Sequence, residues 1–399
     1  MADFNTIKDT VDENIMNTYA RFDVALLSGK GATAKGVGPD GEMEYIDFGS
    51  GIGVNALGYC DDGWLAAITA QAATLSHCSN LYYSPVQGEL ASLLCKATGF
   101  KSAFLCNSGA EANEGLIKLA RKYSFDKYGK ERTTIVTLEN SFHGRTVTTL
   151  AATGQDAFHN YFFPFTEGFK LAKANDFDSV KDACTGDVCA VLLESVQGEG
   201  GVLPLTKEFV SKVEKLCREK DILLLFDEVQ TGIGRTGKFL AYENFGVKAD
   251  AVSCAKALGG GLPIGAVLCR EGLEHVLSSG THGTTFGGNP IVCAGAIEIV
   301  KRVGDSKFLQ NVAEKAVYIR ANLARIDGIG EIRGLGLMLG FEVAGVDTKA
   351  VAALAVKNGL LILTAKTALR MLPPLTITKE EVDKGLSILE QSIKTLRGK

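Results

Sequence analysis

Nothing in the sequence approaches the ~20 consecutive apolar residues that a membrane-spanning helix needs, so no membrane partner is expected. The first residues, Met1-Ala2-Asp3-Phe4-Asn5, carry neither the basic leader nor the apolar stretch of a secretory signal, and the cytoplasm is the expected location. Blocks of like charge are missing too. Lys and Arg number 42 against 46 Asp and Glu, a formal net charge of −4 over 399 residues, which leaves no basic footprint for nucleic acid. The 10 cysteines form no C-x-x-C pair, and Cys254 and Cys269 sit within apolar stretches, as reduced core thiols do. The 5 histidines show no H-x-x-x-H or Cys/His ligand spacing, so no metal is expected. Repeats of ~20–50 residues are absent, which argues against solenoids and propellers. No G-x-G-x-x-G follows a strand and opens a helix with an acid ~20 residues on, and no Walker loop occurs, which disfavours dinucleotide and P-loop sites.

Glycine, in contrast, is abundant. Its 46 copies gather in short loops such as 49–53, 198–201, 259–261 and 287–288, a pattern of strand ends where backbone approaches a ligand or turns sharply. Apolar runs of strand length at Ala103–Cys106, Thr134–Leu138, Val188–Leu193, Ile222–Phe226, Ala251–Cys254 and Ile264–Leu268 alternate with helical candidates. Among the latter are Glu111–Tyr123 and Lys207–Lys220, with Val210, Val213, Leu216 and Cys217 on one stripe. Continuous hydrophobicity suits strands covered on both faces, so the fold class reads as α/β with a mostly parallel sheet. From about residue 296 the texture changes. A long helix-like segment runs to Arg325, followed by strands around 331–343 and 360–363 and a helix from Lys379 to Leu396. The expected units are an N-terminal segment 1–45 packing with the small domain, a large α/β domain 46–295 and a smaller C-terminal α+β domain 296–399.

In an open parallel sheet, ligands sit beyond the carboxyl ends of the strands. Four such ends carry chemistry. Asn107-Ser108-Gly109-Ala110-Glu111-Ala112 passes from a strand into a helix through small residues, either a phosphate site or a tight capped turn. Leu225-Phe226-Asp227-Glu228-Val229-Gln230 delivers a carboxylate that could pair with a metal, a ribose hydroxyl or a protonated heterocycle. Lys256, between an apolar strand and Gly259-Gly260-Gly261, suits Schiff-base chemistry if burial lowers its pKa, or else snorkels or binds phosphate as a point charge. Asn140-Ser141-Phe142-His143-Gly144-Arg145-Thr146 offers an aromatic face and a guanidinium able to hold a carboxylate, while His143 alone reads as structural. Together these supply a phosphate cradle, an anion, an amine and a stacking face. Those are the demands of pyridoxal 5′-phosphate.

These segments, with Gln197-Gly198-Glu199-Gly200-Gly201, Asp227–Gly232 and Gly283-Thr284-Thr285-Phe286-Gly287-Gly288-Asn289-Pro290, occur in an order that resembles the subgroup III (omega-type) aminotransferases. The resemblance runs from about residue 19 to the C-terminus. It implies fold type I of the pyridoxal-phosphate enzymes and a homodimer with a shared active site. By motif, Lys256 would hold the cofactor and shuttle a proton, and Asp227 would pair with the ring nitrogen. Val229 and Phe142 would sandwich the ring, with Gln230 near its phenolic oxygen. Ser108, Gly109 and Ala110 would hold the phosphate, joined by Thr285 from across a dimer interface. Arg145 would bind a distal carboxylate, Arg370 the α-carboxylate of glutamate or 2-oxoglutarate, and Glu199 would cover Arg370 while the donor is bound.

Within that family, Ser50–Gly58 and Leu369–Leu375 are most similar to the members that act on N-acetylornithine. The implied activity is transfer of the terminal amine of N2-acetyl-L-ornithine to 2-oxoglutarate in arginine biosynthesis. Ornithine, succinylornithine, N-succinyl-diaminopimelate and 4-aminobutyrate stay open as donors, as does a glutamate-1-semialdehyde aminomutase. Gly58-Tyr59-Cys60-Asp61-Asp62 departs from the family, which often has histidines there.

Overall fold

Residues 3–398 are described by the computed structural model, so the outermost bounds of the expected terminal units, 1, 2 and 399, lie outside the described residues. The wholly buried strands Val188–Glu194 and Leu223–Asp227 sit inside a seven-stranded sheet. Their apolar runs have no polar face because both sides of the sheet are covered. The spatial order is Ser102–Cys106, Gly265–Cys269, Ala251–Cys254, Leu223–Asp227, Val188–Glu194, Thr134–Leu138 and Phe169–Ala172. Every pairing is parallel except those of Gly265–Cys269, which runs against both its neighbours. Its reversal follows from the short link 255–264, too short for the dozen or so residues of a parallel crossover.

Register then builds the rim. Asp227 pairs with Glu194 on one side and Ser253 on the other. Three parallel strands therefore release their carboxyl-terminal side chains at one level, where ligands of open α/β sheets bind.

Helix Gly109–Tyr128 begins two residues before the expected Glu111 because Ser108 caps it, its hydroxyl accepting from the Glu111 N–H at 3.2 Å. Helix Lys207–Lys220 has the expected bounds, with Val210, Val213, Leu216 and Cys217 buried. The expected long helix through Arg325 is instead two, Pro290–Val303 and Ser306–Leu323. Asp305 separates them by accepting hydrogen bonds from the Lys307 and Phe308 amides, an N-cap that restarts the helix after Gly304.

Beyond it, Ile329–Leu335, Met338–Val343, Ala368–Met371 and Leu363–Ala365 form an antiparallel sheet, in that order. A capping box of Thr378 and Glu381 opens the last helix, Lys379–Leu396. Near the N-terminus, Ala25–Lys30, Thr33–Gly38 and Gly41–Asp47 form a meander whose last strand pairs in parallel with Leu360–Leu361. Among the described residues, no helix is long and apolar enough to cross a membrane.

Candidate active site

A cavity of about 610 Å³ opens at the rim where Asp227 ends its strand and where Ala255 and Lys256 follow strand Ala251–Cys254. Asp227 is 4% exposed. Its Oδ2 accepts from Asn113 Nδ2 at 2.7 Å and lies 2.8 Å from His143 Nδ1, while Oδ1 accepts from the Val229 N–H at 3.0 Å. Asn113 in turn donates to the His143 carbonyl at 2.8 Å and accepts from Ser253 Oγ at 2.7 Å. One carboxylate is thus oriented from a helix, a loop and a strand.

Lys256 follows strand Ala251–Cys254 and takes φ 43°. For a non-glycine residue that conformation costs on the order of 1–3 kcal/mol and persists where surrounding structure imposes it. Burial pushes the Lys256 ammonium below its ordinary pKa; Glu199 pulls the other way and Arg370 adds to the depression. An amine held this way spends more time neutral, and the neutral amine is the nucleophile.

The start of helix Gly109–Tyr128 lines the same cavity with Ser108, Gly109 and Ala110. First-turn amides have no intrahelical acceptor and face the positive end of the helix dipole, so an anion fits there. Gly109 is required sterically: a Cβ would fall 2.6 Å from Val229 Cγ1. Phe142, Val229 and Gln230 also line the space.

Two guanidinium groups stand at the site in different states. Arg145 is exposed on the cavity wall, its guanidinium carbon 4.1 Å from the Phe158 ring centroid and 5.5 Å from that of Phe142. It makes no ion pair among the described residues. Arg370 is 3% exposed and pairs with Glu199, Nη1 to Oε1 at 2.5 Å and Nη2 to Oε2 at 3.3 Å, while its buried Nε has no hydrogen-bond partner among the described residues. Gln230 joins both, accepting from Arg370 Nη1 at 3.1 Å and donating to Glu199 Oε1 at 3.3 Å. Burial opposes ionisation of Glu199, yet the charge and hydrogen bonds of Arg370 prevail and hold its pKa below the ordinary value. The pair stands behind Gln230, outside the cavity lining.

Of the residues expected at the site, all but Glu199, Arg370 and Thr285 line this one cavity. Thr285 is exposed on a loop that Asn80 ties down through the carbonyls of Thr284 and Gly287, at 3.2 and 3.0 Å. Sequence reasoning missed Glu194, Asn113 and Tyr19, which also line the cavity. Glu194 is buried at the end of its strand and accepts the Phe142 N–H at 2.9 Å. Burial first and Asp227 second push its carboxyl well above the ordinary range. The rule that polar residues close apolar runs could have found it, had the strand been extended by one residue. Asn113, one turn into a helix, and Tyr19, from the N-terminal segment, carry no such local signal. Among the described residues, no group of three or more His, Cys, Asp and Glu is placed to hold a metal ion.

Residues 18–393 match the family model for class-III aminotransferases. The chain is 49% identical to the acetylornithine aminotransferase of Haemophilus ducreyi, over 96% of this chain and 98% of that one. It is 45% identical to the acetylornithine aminotransferase of Caldanaerobacter subterraneus, with the same coverage of both chains. Among solved structures, N-acetylornithine aminotransferase from Stenotrophomonas maltophilia is similar at 36% identity and TM-score 0.83, covering 98% of this chain and 99% of that one. An ornithine aminotransferase from Toxoplasma gondii, with partial occupancy of PLP at its active site, overlays at TM-score 0.93 and 31% identity, covering 99% and 95%.

Proposed function

The chain belongs to the class-III aminotransferase family, and we propose that it moves the terminal amine of N2-acetyl-L-ornithine to 2-oxoglutarate. The products are N-acetylglutamate 5-semialdehyde and L-glutamate, which places the enzyme in arginine biosynthesis. The proposal includes pyridoxal 5′-phosphate as cofactor, a homodimer and a cytoplasmic location. The observation that carries it is the unequal state of two arginines at one site, Arg145 unpaired and Arg370 covered by Glu199.

Two substrates of different charge must use this site in turn. A donor with one carboxylate and a blocked α-amine needs one open receptor, which Arg145 provides, leaving its terminal amine to reach Lys256. A dicarboxylate oxoacid needs a second receptor. Its carboxylate replaces that of Glu199 on Arg370, so the guanidinium is never left bare. Charge-assisted hydrogen bonds of about 1.5–3 kcal/mol are exchanged for equivalents. A switch between such balanced states needs little net energy.

The residues present fit the cofactor. Ser108, Gly109 and Ala110 would hold its phosphate at a helix start that no Cβ could enter at Gly109. Asp227, locked by Asn113 and His143, presents a carboxylate able to keep a pyridine nitrogen protonated. Phe142 and Val229 supply apolar surface for a ring, and Gln230 a polar group beside it. When bound, the group supplies an electron sink for negative charge on the substrate carbon. Lys256 Nζ would hold it covalently, and burial, which lowers its pKa, suits an amine that must give up and take back a proton. Thr285 would complete the phosphate site of a second copy. The exposed Leu81, Tyr83 and Phe286 around its loop support an interface there.

A donor panel tests the reading. With 2-oxoglutarate as acceptor, glutamate should form fastest from N-acetylornithine. Faster formation from ornithine, succinylornithine, N-succinyl-diaminopimelate or 4-aminobutyrate would reassign the donor.

A further inference from the structure

We propose that Arg235 is a positioning residue for 2-oxoacid recognition, clamping the strand that bears Arg370 to the loop that follows Asp227. The proposal rests on the reading of Arg370 as the oxoacid receptor.

Arg235 is 1% exposed and heads the largest fully buried side chains of the molecule. Among the described residues no carboxylate lies within ion-pair distance of it; Asp47 acts on it only through space. Its Nε and Nη2 have no hydrogen-bond partner among the described residues. A buried cation with unused donors lowers stability, so its presence calls for an offsetting role.

That role follows from sheet register. Strands Met338–Val343 and Ala368–Met371 are antiparallel, pairing Gly340 with Arg370 and Leu339 with Met371. Two residues further, the same register sets Leu337 opposite Pro373. Proline has no N–H, so the ladder cannot continue and the Leu337 carbonyl is left without a donor from that strand. Arg235 Nη1 takes over, donating to the Leu337 carbonyl at 3.2 Å and the Pro373 carbonyl at 2.5 Å. The Leu337 N–H closes the contact by donating to the Arg235 carbonyl at 2.9 Å. Gly336, at φ 54°, lets the turn before Leu337 lie this close to the loop that carries Arg235, since a Cβ there would fall 2.5 Å from Thr236 backbone. One nitrogen thus ties both strand ends, three residues from Arg370, to the loop that continues from Asp227, Val229 and Gln230.

Donor recognition at Arg145 lies on a different loop and does not pass through this clamp. Asp227 is held separately by Asn113 and His143, so losing the clamp should act mainly on the acceptor side. In the holoenzyme, Arg235→Met should raise the 2-oxoglutarate concentration for half-maximal rate of the acceptor half-reaction about ten- to a hundredfold. The donor half-reaction with N-acetylornithine, followed by absorbance, should stay within about twofold. Arg235→Lys, which keeps one donor, should recover part of the loss. Equal slowing of both half-reactions, or no change in either, would overturn the assignment. Should neither variant fold, hydrogen exchange of the unaltered enzyme still decides: the Leu337 amide should exchange as slowly as the ladder amides of 338–343, and fast exchange refutes the clamp. If the unaltered enzyme shows no donor half-reaction, the proposed function fails, while the exchange measurement still judges Arg235.

Discussion

His143 Nδ1 lies 2.8 Å from Asp227 Oδ2, and Asn113 Nδ2 reaches the same oxygen at 2.7 Å. The acid proposed to face the cofactor ring therefore has little freedom to rotate. Its angle is set by groups distant in sequence, on a helix and a loop.

Asn113→Ala removes two donated hydrogen bonds and leaves Ser253 Oγ without its acceptor in a buried site. The expected loss of stability is about 2–3 kcal/mol, with weaker retention of pyridoxal phosphate. Denaturant unfolding and cofactor titration check both. A variant matching the parent in each measurement would show that the network does not hold Asp227.

Among the described residues Arg145 has no acidic partner to lose, only its stacking on Phe142 and Phe158. Arg145→Ala should therefore leave folding and the holoenzyme spectrum unchanged while raising KM for the carboxylate-bearing donor roughly 10- to 100-fold, the worth of a charge-assisted pair. An unchanged donor KM removes Arg145 from substrate binding.

Much of this site was legible in the sequence because the rule behind it is local. Parallel strands bury continuous apolar runs, and whatever polar residue ends such a run stands at the rim, as Asp227 does. Lys256, close behind the apolar run Ala251–Cys254, follows the same rule. The misses have tertiary causes. Glu194 lies one residue past the apolar run Val188–Leu193, and Asn113 acts across more than a hundred residues of chain. Strand Phe169–Ala172 is short, mixed in polarity and only partly buried at the sheet edge, so no periodicity announced it. The single long helix expected through Arg325 failed because the apolar pattern runs past the cap at Asp305. The family resemblance brought in Thr285 and the pairing of Glu199 with Arg370, which spacing alone does not give.

Glu228, beside Asp227 in sequence, is buried and accepts from Thr231 Oγ1 at 2.7 Å, the Ala241 N–H at 2.9 Å and the Tyr242 N–H at 2.8 Å. Burial outweighs these bonds and pushes its pKa up to about 7. The folded protein thus holds this proton more tightly than the unfolded chain. Its contribution is complete below the unfolded carboxylate pKa and fades as pH rises toward 7, a loss of roughly 3 kcal/mol from this group. Glu228→Gln cannot titrate, so its stability should fall less between pH 5 and 8. Parallel stability curves for the two proteins would contradict this.

The account turns on Lys256. Borohydride reduction of the holoenzyme followed by peptide mapping should place the pyridoxyl label on Lys256 and abolish turnover. Label on another lysine, or full activity retained after reduction, would contradict the account at its centre.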